Sequence, residues 1–212
     1  IVESVEKKET NRYPAPPFTT STLQQTAWQK FHFPAKMTMQ TAQRLYENGL
    51  ITYHRTDSLN LSEMSLSAAK KFITESLGQN YWAGKIVKYK TKSNSAQEAH
   101  EAIRPSYADK TPDSLEKIDS RQLKLYTLIW QRFIGCQMAP AVLDSVAADI
   151  KASGYTFRAN GQTLKFDGFL KVYPTKFEEK ELPNLKEKDI LDLVSLTPSQ
   201  HFTEPQARYT EA

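Results

Sequence analysis

Apolar side chains recur every three or four residues from about Pro17 to Met138. Residues at that spacing lie on one face of a helix, so the pattern predicts a mostly α-helical region. Gly49 and Gly78 are typical residues for ending a helix, and Ser62 is a typical residue for starting one. The predicted helices span residues 22–31, 38–48, 62–77 and 123–134, with a Thr-Thr-Ser-Thr cluster entering the first and an extended segment at 50–52 after the second.

The hydrophobic period changes to two after Pro140, as expected of β-strands that bury one face. Residues 142–150 alternate, and two β-rich segments at 155–158 and 164–172 flank Asn160-Gly161, a strong signal for a hairpin turn. A further strand is expected at 190–196, after a charged loop at 177–189. The chain is therefore predicted to have an α+β fold, in which an α-rich part precedes antiparallel β structure.

Composition narrows the function classes. The 212 residues carry a formal net charge of +4, which is compatible with a polyanionic partner without requiring one. No apolar run approaches the roughly 18 residues of a membrane span, so a transmembrane helix is excluded. The single cysteine, Cys136, lies in an apolar helical pattern and is predicted to be a buried, inert thiol, which excludes disulfides and a cysteine metal cage and favours a reducing compartment. The chain lacks an initiator methionine, and we expect it to be a piece of a longer protein.

The segment GLITYHRTDS leaves a helix, runs briefly as a strand and ends in polar residues. Tyr53 could act as a nucleophile here, but a phenol with a pKa near 10 needs neighbouring cations to do so. Arg55 shares a strand face with Tyr53 if the strand persists, and its planar fork suits a phosphate. The residues alone leave a structural alternative open, with Tyr53 packed at a strand end and Arg55 paired with Asp57 at the surface.

The segment QEAHEAIRP superficially matches a His-Glu-x-x-His zinc helix, but Arg104 occupies the second ligand position and cannot bind a metal. If residues 96–103 are helical, His100 and Arg104 share a face and could hold a phosphate or a nucleotide edge. A helix end with solvated charges remains the alternative. The basic segment KIVKYKTK, residues 85–92, could stack and neutralise nucleic acid, although protection of an edge strand is the favoured interpretation.

Five strings resemble consecutive blocks of bacterial type IA DNA topoisomerases. They are PPFTTSTLQQTA, AQRLYENGLITYHRTDS, NSAQEAHEAIRPS, FDGFLKVYP and LTPSQHFTEPQARYTEA, and they cover almost the whole chain in the order of the family. The resemblance replaces the structural alternative for Tyr53 and Arg55 with a catalytic one.

The resemblance implies an isomerase that relaxes negatively supercoiled DNA without ATP. Tyr53 would attack a phosphodiester to give a 5′-phosphotyrosine and a free 3′-hydroxyl, and Arg55 would contact the scissile phosphate. His100 would bind the DNA near the break, with Arg104 as a further DNA contact. His54 stands where the family usually has an apolar residue; on a strand it would point away from the site, and it raises the expectation of pH sensitivity.

The same resemblance implies a toroid in which an α-rich domain, residues 13–139, is inserted into a β arch of residues 1–12 and 140–212. The TOPRIM domain of the family supplies an acidic Mg²⁺-binding cluster and a general acid, and nothing in this chain matches it. We therefore expect no metal ligand here and no activity from the isolated chain. The expected partner is a single-stranded segment of DNA, bound by a monomer in the bacterial cytoplasm at the nucleoid, with no membrane involved.

Two other functions fit part of the pattern. A DNA-binding module could use the same scaffold without chemistry, although Tyr53 and Arg55 together favour catalysis. A tyrosine recombinase also forms a phosphotyrosine, but it needs a His-x-x-Arg block followed by a late tyrosine. Here Tyr53 precedes His100, and Arg104 lies one residue too far from His100.

Overall fold

A computed structural model describes residues 1–90, 100–116, 118–206 and 208. These residues form two compact units. The helical unit contains Tyr13–Pro140 and Asp167–Thr175, and the sheet unit contains Ile1–Arg12, Ala141–Phe166 and the described residues from Lys176 onward. The fold is thus mixed α and β with an antiparallel sheet, which confirms the predicted class at this level.

Each of the four predicted helices is present in the helical unit. They are α1 (Thr20–Phe31), α2 (Ala35–Glu47), α3 (Glu63–Phe72) and α4 (Ser120–Gly135). The side chains of Thr19, Ser62 and Asp119 cap α1, α3 and α4. Each accepts a hydrogen bond from a backbone N–H group of the first turn, as residues of these types do. A wider helical turn, Ile73–Leu77, continues α3 to Gly78, where the sequence pattern predicts its end.

The core of the helical unit is built around α4. Leu125, Ile129 and Phe133 recur at helical spacing on its buried face, and each is almost completely shielded from solvent. Cys136 follows the helix and is fully buried, and burial raises the pKa of its thiol to about 12. The prediction of an inert buried thiol is confirmed, because so little thiolate exists near neutral pH.

The sheet unit is a three-stranded antiparallel sheet. Its strands are β1 (Val2–Arg12), β2 (Ala141–Ala152) and β3 (Tyr155–Phe166), in the spatial order β1-β2-β3. The turn between β2 and β3 uses Ser153 and Gly154, both with positive φ (46° and 85°). Two such residues in a row are the requirement of a tight hairpin turn that matches the twist of its strands.

The predicted hairpin turn at Asn160-Gly161 is wrong, because both residues lie in the middle of β3. Gly161 instead allows a close approach of the chain, since a β-carbon there would lie 2.7 Å from the Lys180 carbonyl oxygen. Gln162 and Lys180 exchange backbone hydrogen bonds of 2.8 and 3.0 Å at the same place. Pairing with β2 overrides the local turn propensity, since Asn160 lies opposite Ala147 and Gly161 opposite Val146.

Two further strand predictions are wrong. Residues 164–172 do not form one strand, because β3 ends at Phe166 and a short 3₁₀ turn, Gly168–Lys171, follows in the helical unit. Residues 190–196 form no strand in the described structure, and their large apolar side chains are exposed. An alternating pattern becomes a strand only where another strand is available to pair with it.

Residues 85–90 do not form the expected edge strand. The Tyr89 hydroxyl donates to the Cys136 carbonyl (2.9 Å), and the backbone of Val87 bonds to the Gln137 side chain. These contacts hold the segment against the residues that follow α4, and Tyr89 remains partly exposed. Residues 91 and 92 lie outside the described residues. Within the described ranges, no helix is both long and apolar enough to cross a membrane.

Candidate active site

The segment that carries Tyr53 begins at the end of α2. Gly49 adopts a left-handed conformation (φ +67°), and its N–H donates to the Tyr46 carbonyl (2.8 Å). The N–H of Leu50 donates to the Leu45 carbonyl (2.9 Å), so the two bonds together form a Schellman motif. Leu45 and Leu50 are both buried, which adds the apolar contact usual for this motif. The chain therefore reverses sharply after α2 and returns as an extended segment.

Residues 102–106 hold the extended segment along one side. The Ser106 N–H donates to the Leu50 carbonyl and the Thr52 N–H to the Arg104 carbonyl, both at 2.9 Å. The Thr52 hydroxyl donates to the Ala102 carbonyl at 2.8 Å. These bonds bring the two motifs of the sequence, GLITYHRTDS and QEAHEAIRP, side by side.

The first turn of α1 holds the other end of the segment. The Thr20 N–H donates to the Thr56 carbonyl (2.8 Å), and the Thr56 N–H donates to the Thr20 hydroxyl oxygen (2.9 Å). The same hydroxyl donates to the His54 carbonyl (2.8 Å). The N-terminus of α1, whose N–H groups carry partial positive charge, is thereby fixed beside the tyrosine segment.

Exposed and buried residues alternate along this segment, although the chain bends at residues 52, 54 and 55 and does not continue as a strand. Tyr53 is 40% exposed and Arg55 is also exposed, whereas His54 and Thr56 are buried. Tyr53 and Arg55 are therefore both accessible from solvent, but not as neighbours on one strand face. Arg55 forms no ion pair with Asp57, which removes the main contact of the structural alternative.

A cleft of about 540 Å³ lies between α1 and the tyrosine segment. Its lining consists of Thr19, Thr20, Ser21, Gln24, Arg55, Thr56, Asp57 and His100. The Tyr53 ring borders this cleft through His100, with 6.2 Å between the ring centroids. The positive end of α1 and the Arg55 guanidinium both attract an anion, and Arg55 can donate hydrogen bonds to phosphate oxygens.

His100 does not reach the cleft on a helix. Residues 96–99 lie outside the described residues, and from 100 onward the chain is extended. The Ala102 N–H donates to the Asn60 carbonyl and the Ile103 N–H to the Phe18 carbonyl, both at 2.8 Å. The prediction that His100 and Arg104 share a helix face is therefore wrong for the described residues. Residues 102 and 103 bond to Asn60 and Phe18 instead of forming a helix.

Arg104 lies in the interior rather than in the cleft. Its side chain forms a 2.6 Å ion pair with Glu101 and donates to the Pro105 carbonyl at 2.9 Å. Glu101 also accepts the Ser62 N–H at the start of α3 (2.6 Å). Burial opposes ionisation of Glu101, but the bonds from Arg104 and Ser62 outweigh it and lower the pKa of the carboxyl. Arg104 thus joins α3 to the site, and this geometry gives no support to a direct DNA contact.

The described residues do not form a magnesium site. Within those ranges, no group of three or more histidine, cysteine, aspartate or glutamate side chains is arranged to hold a metal ion. Asp57 contributes a carboxylate to the cleft, where its neighbours are hydroxyl groups, an amide, Arg55 and His100. Such a donor set does not suit a hard cation that prefers several oxygen ligands.

Two parts of the site were not predicted from the sequence. The first turn of α1 was expected only as a helix start, although its Thr-Thr-Ser-Thr cluster is the signal that places N–H groups at the cleft. Tyr46 was not singled out, yet its ring lies 5.3 Å from the Tyr53 ring. Tyr46 precedes Tyr53 by seven residues, and only the turn at Gly49 brings the two rings together.

The whole chain, residues 1–212, matches the family described as DNA topoisomerase. It is 46% identical to DNA topoisomerase 1 of Rickettsia felis, an alignment that covers 100% of this chain and 29% of the relative. It is 50% identical to DNA topoisomerase 1 of Vibrio cholerae, over 98% of this chain and 24% of the relative. The chain belongs to the DNA topoisomerase family, which confirms the resemblance found in the sequence.

The fold gives the same result. Full-length topoisomerase I from Thermotoga maritima superimposes with a TM-score of 0.76 at 34% identity, over 89% of this chain and 32% of that structure. The chain spans about a quarter to a third of the length of these relatives.

Proposed function

We propose that the helical unit carries the strand-cleaving site of a type IA DNA topoisomerase that relaxes negatively supercoiled DNA. Tyr53 is the nucleophile, and a single-stranded DNA segment is the substrate. One observation carries the proposal: Tyr53 and Arg55 are both exposed on a segment held by backbone hydrogen bonds, beside a cleft whose lining includes Arg55.

The chemistry exchanges one ester for another. The Tyr53 phenolic oxygen bonds to phosphorus and loses its proton, while the bond from phosphorus to the 3′-oxygen breaks and that oxygen gains a proton. The product is a 5′-phosphotyrosine with a free 3′-hydroxyl. Because a phosphodiester is retained, the 3′-hydroxyl can attack in reverse and reseal the strand without ATP, after another strand has passed through the gap.

The neighbouring residues have separate parts in this proposal. Arg55 donates to the non-bridging oxygens of the scissile phosphate and offsets the charge that builds up as Tyr53 attacks. The positive end of the α1 dipole attracts the adjacent phosphates of the strand. His100, which contacts the Tyr53 ring, binds the DNA beside the break.

A complete reaction needs groups beyond those described. In the proposal, Mg²⁺ is held by an acidic cluster of a TOPRIM domain, which also supplies the general acid for the leaving 3′-oxygen. This chain then forms part of the helical gate and β arch of a toroidal enzyme. We further propose that the enzyme works as a monomer at the bacterial nucleoid.

Transfer of labelled DNA to the protein tests the proposal. A longer enzyme that contains these 212 residues is mixed with a single-stranded oligonucleotide labelled at its 3′-end and is then denatured. We expect label on the wild type and on Tyr107→Phe, an exposed tyrosine outside the cleft, but none on Tyr53→Phe. Label that remains on Tyr53→Phe, or that transfers only from a 5′-labelled strand, would contradict the assignment.

A further inference from the structure

Three rings meet behind the exposed face of Tyr53. The Tyr46 ring lies 5.3 Å from the Tyr53 ring at an interplanar angle of 66°, and the His54 ring lies 5.3 Å from it at 67°. Tyr46 and His54 are themselves 6.1 Å apart. These distances are typical of edge-to-face aromatic contacts, which restrain the orientation of a ring as well as its position. Tyr46 and His54 together are called the aromatic seat below.

His54 is an unusual member of such a cluster. Its side chain is fully buried, and neither ring nitrogen has a hydrogen-bond partner among the described residues. Buried polar atoms are nearly always paired, so an unpaired imidazole is an exception that needs an explanation. A histidine that served only to fill the core would ordinarily bond through at least one nitrogen. Here the ring presents its faces and edges to Tyr46 and Tyr53 instead.

The charged form of His54 is disfavoured in this place. Burial lowers the pKa of the imidazole, and the adjacent Arg55 guanidinium lowers it further, whereas the more weakly acting Glu47 on α2 opposes both. The remaining groups around it are the Tyr46 and Tyr53 rings and the uncharged Thr20 hydroxyl of α1, which bonds the His54 carbonyl. The seat is therefore neutral near neutral pH and would gain a buried charge on acidification.

The backbone fixes where both members of the seat lie. Tyr46 lies in the last turn of α2, before the Schellman turn at Gly49, and is 41% exposed. The His54 backbone carbonyl accepts a bond from the Thr20 hydroxyl, and the His54 side chain is buried. Tyr53 is 40% exposed, and its contacts with the Tyr46 and His54 rings restrain the orientation of its ring.

We propose that Tyr46 and neutral His54 are positioning residues that seat the Tyr53 ring for attack, and that protonation of His54 disrupts the seat. This inference rests on the proposed role of Tyr53 as nucleophile. A nucleophile that must reach phosphorus in line loses rate steeply when its ring swings away, even though DNA still binds. The seat therefore acts on the rate of cleavage more than on affinity for DNA.

The main test is single-turnover cleavage of a labelled oligonucleotide by the longer enzyme at saturating DNA. We expect Tyr46→Ala to lower the cleavage rate about tenfold to a hundredfold with little change in DNA affinity, the range for a small misplacement of a reacting group. Tyr46→Phe keeps the ring and should restore most of the rate. Tyr107→Ala, an exposed tyrosine with no ring contact to Tyr53, is the matched control and should behave as wild type.

The pH profile separates positioning from simple packing. His54→Met fills the same volume without a titratable group, and we expect it to lower the rate modestly while flattening the decline below the ordinary histidine pKa of about 6.5. The quantity to compare is the ratio of wild-type to His54→Met rates across that range, because titration of other groups cancels in it. His201→Met, a change at an exposed histidine of the sheet unit, should leave the wild-type profile intact.

A second measurement needs no activity. In the 212-residue chain, the His54 ring signal in an NMR titration should shift only below the usual histidine range, and the Tyr53 ring signals should shift with it. Folding of each variant is checked by thermal melts, and Tyr46→Leu replaces Tyr46→Ala if the latter unfolds. One outcome would refute the positioning role and leave the proposed function intact. In it, Tyr53→Phe abolishes cleavage, while the Tyr46 and His54 variants keep the wild-type rate and pH profile. If Tyr53→Phe still cleaves, the proposed function itself fails.

Discussion

Arg55 and Arg104 place the same type of side chain in opposite environments, one at the surface of the cleft and the other in the interior. Arg55 is exposed on the wall of the cleft, two residues after Tyr53. Arg104 is only 7% exposed, and its fork is occupied by Glu101 and by a backbone carbonyl. Only the first has donors available for a phosphate at the surface.

Loss of Arg55 should act on the chemical step. We expect Arg55→Lys to lower single-turnover cleavage by about tenfold to a thousandfold, because lysine keeps the charge but loses the two-point geometry. Arg55→Ala should be worse. The measurement is cleavage of a labelled oligonucleotide by the longer enzyme, with thermal melts to check folding. Unchanged cleavage in Arg55→Ala would remove Arg55 from the site.

Loss of Arg104 should act on stability instead. Arg104→Met leaves the Glu101 carboxylate largely buried without its cation, and we expect a loss of about 3 kcal/mol in the free energy of unfolding. The double variant Arg104→Met with Glu101→Gln should recover part of that loss. Denaturant unfolding of the 212-residue chain measures both. A stable Arg104→Met chain whose affinity for DNA is reduced would instead support a direct DNA contact.

At the scale of elements, the site depends on three short connections rather than on any long helix. The Schellman turn at Gly49 reverses the chain after α2. Residues 102–106 pair with the segment on one side, and the first turn of α1 ties its far end at Thr56. Each connection uses backbone groups, so the segment keeps its path even where its side chains are exposed.

Gly49 provides the clearest test of these connections. A β-carbon there would touch nothing within 4 Å, so the cost of a substitution comes from the positive φ alone. We expect Gly49→Ala to destabilise the 212-residue chain by about 1 to 2 kcal/mol, and Gly49→Asn by less because asparagine tolerates this conformation better. Thermal or denaturant melts of the two variants give the comparison. If the Gly49→Ala and Gly49→Asn chains were equally stable, residue 49 would not be held at positive φ in them, and the turn would have changed conformation.

At the scale of the whole molecule, the two compact units differ in what they contribute. The proposed chemistry lies entirely in the helical unit, whose described residues include Tyr53, Arg55 and the cleft. The sheet unit is a three-stranded sheet followed by a segment that exposes large apolar side chains at Ile190, Leu193 and Val194. Neither unit provides a metal-binding acidic cluster within the described ranges.

The chain by itself should therefore neither cleave nor relax DNA. Supercoiled plasmid incubated with the 212-residue chain and Mg²⁺ is expected to stay supercoiled, while a longer enzyme that contains this chain relaxes it. The measurement is the distribution of topoisomers on a gel. Relaxation that survives repurification of the chain and disappears in Tyr53→Phe would show that these residues suffice for catalysis.

Local patterns in the sequence determined much of this protein. The four helices follow from apolar spacing and capping residues. The motif strings were enough to indicate the family, because they are long and occur in order. Each of these inferences depends on residues close together in the sequence.

The tertiary structure alone decided the features that depend on distant residues. The Asn160-Gly161 pair became part of a strand because it pairs with Ala147 and Val146 of β2, and residues 190–196 form no strand in the described structure. Arg104 was buried by Glu101 and its pairing with Thr52, and Tyr46 met Tyr53 through the turn at Gly49. Local propensity differs by only about 1 kcal/mol between such alternatives, so contacts from elsewhere in the chain determine which one forms.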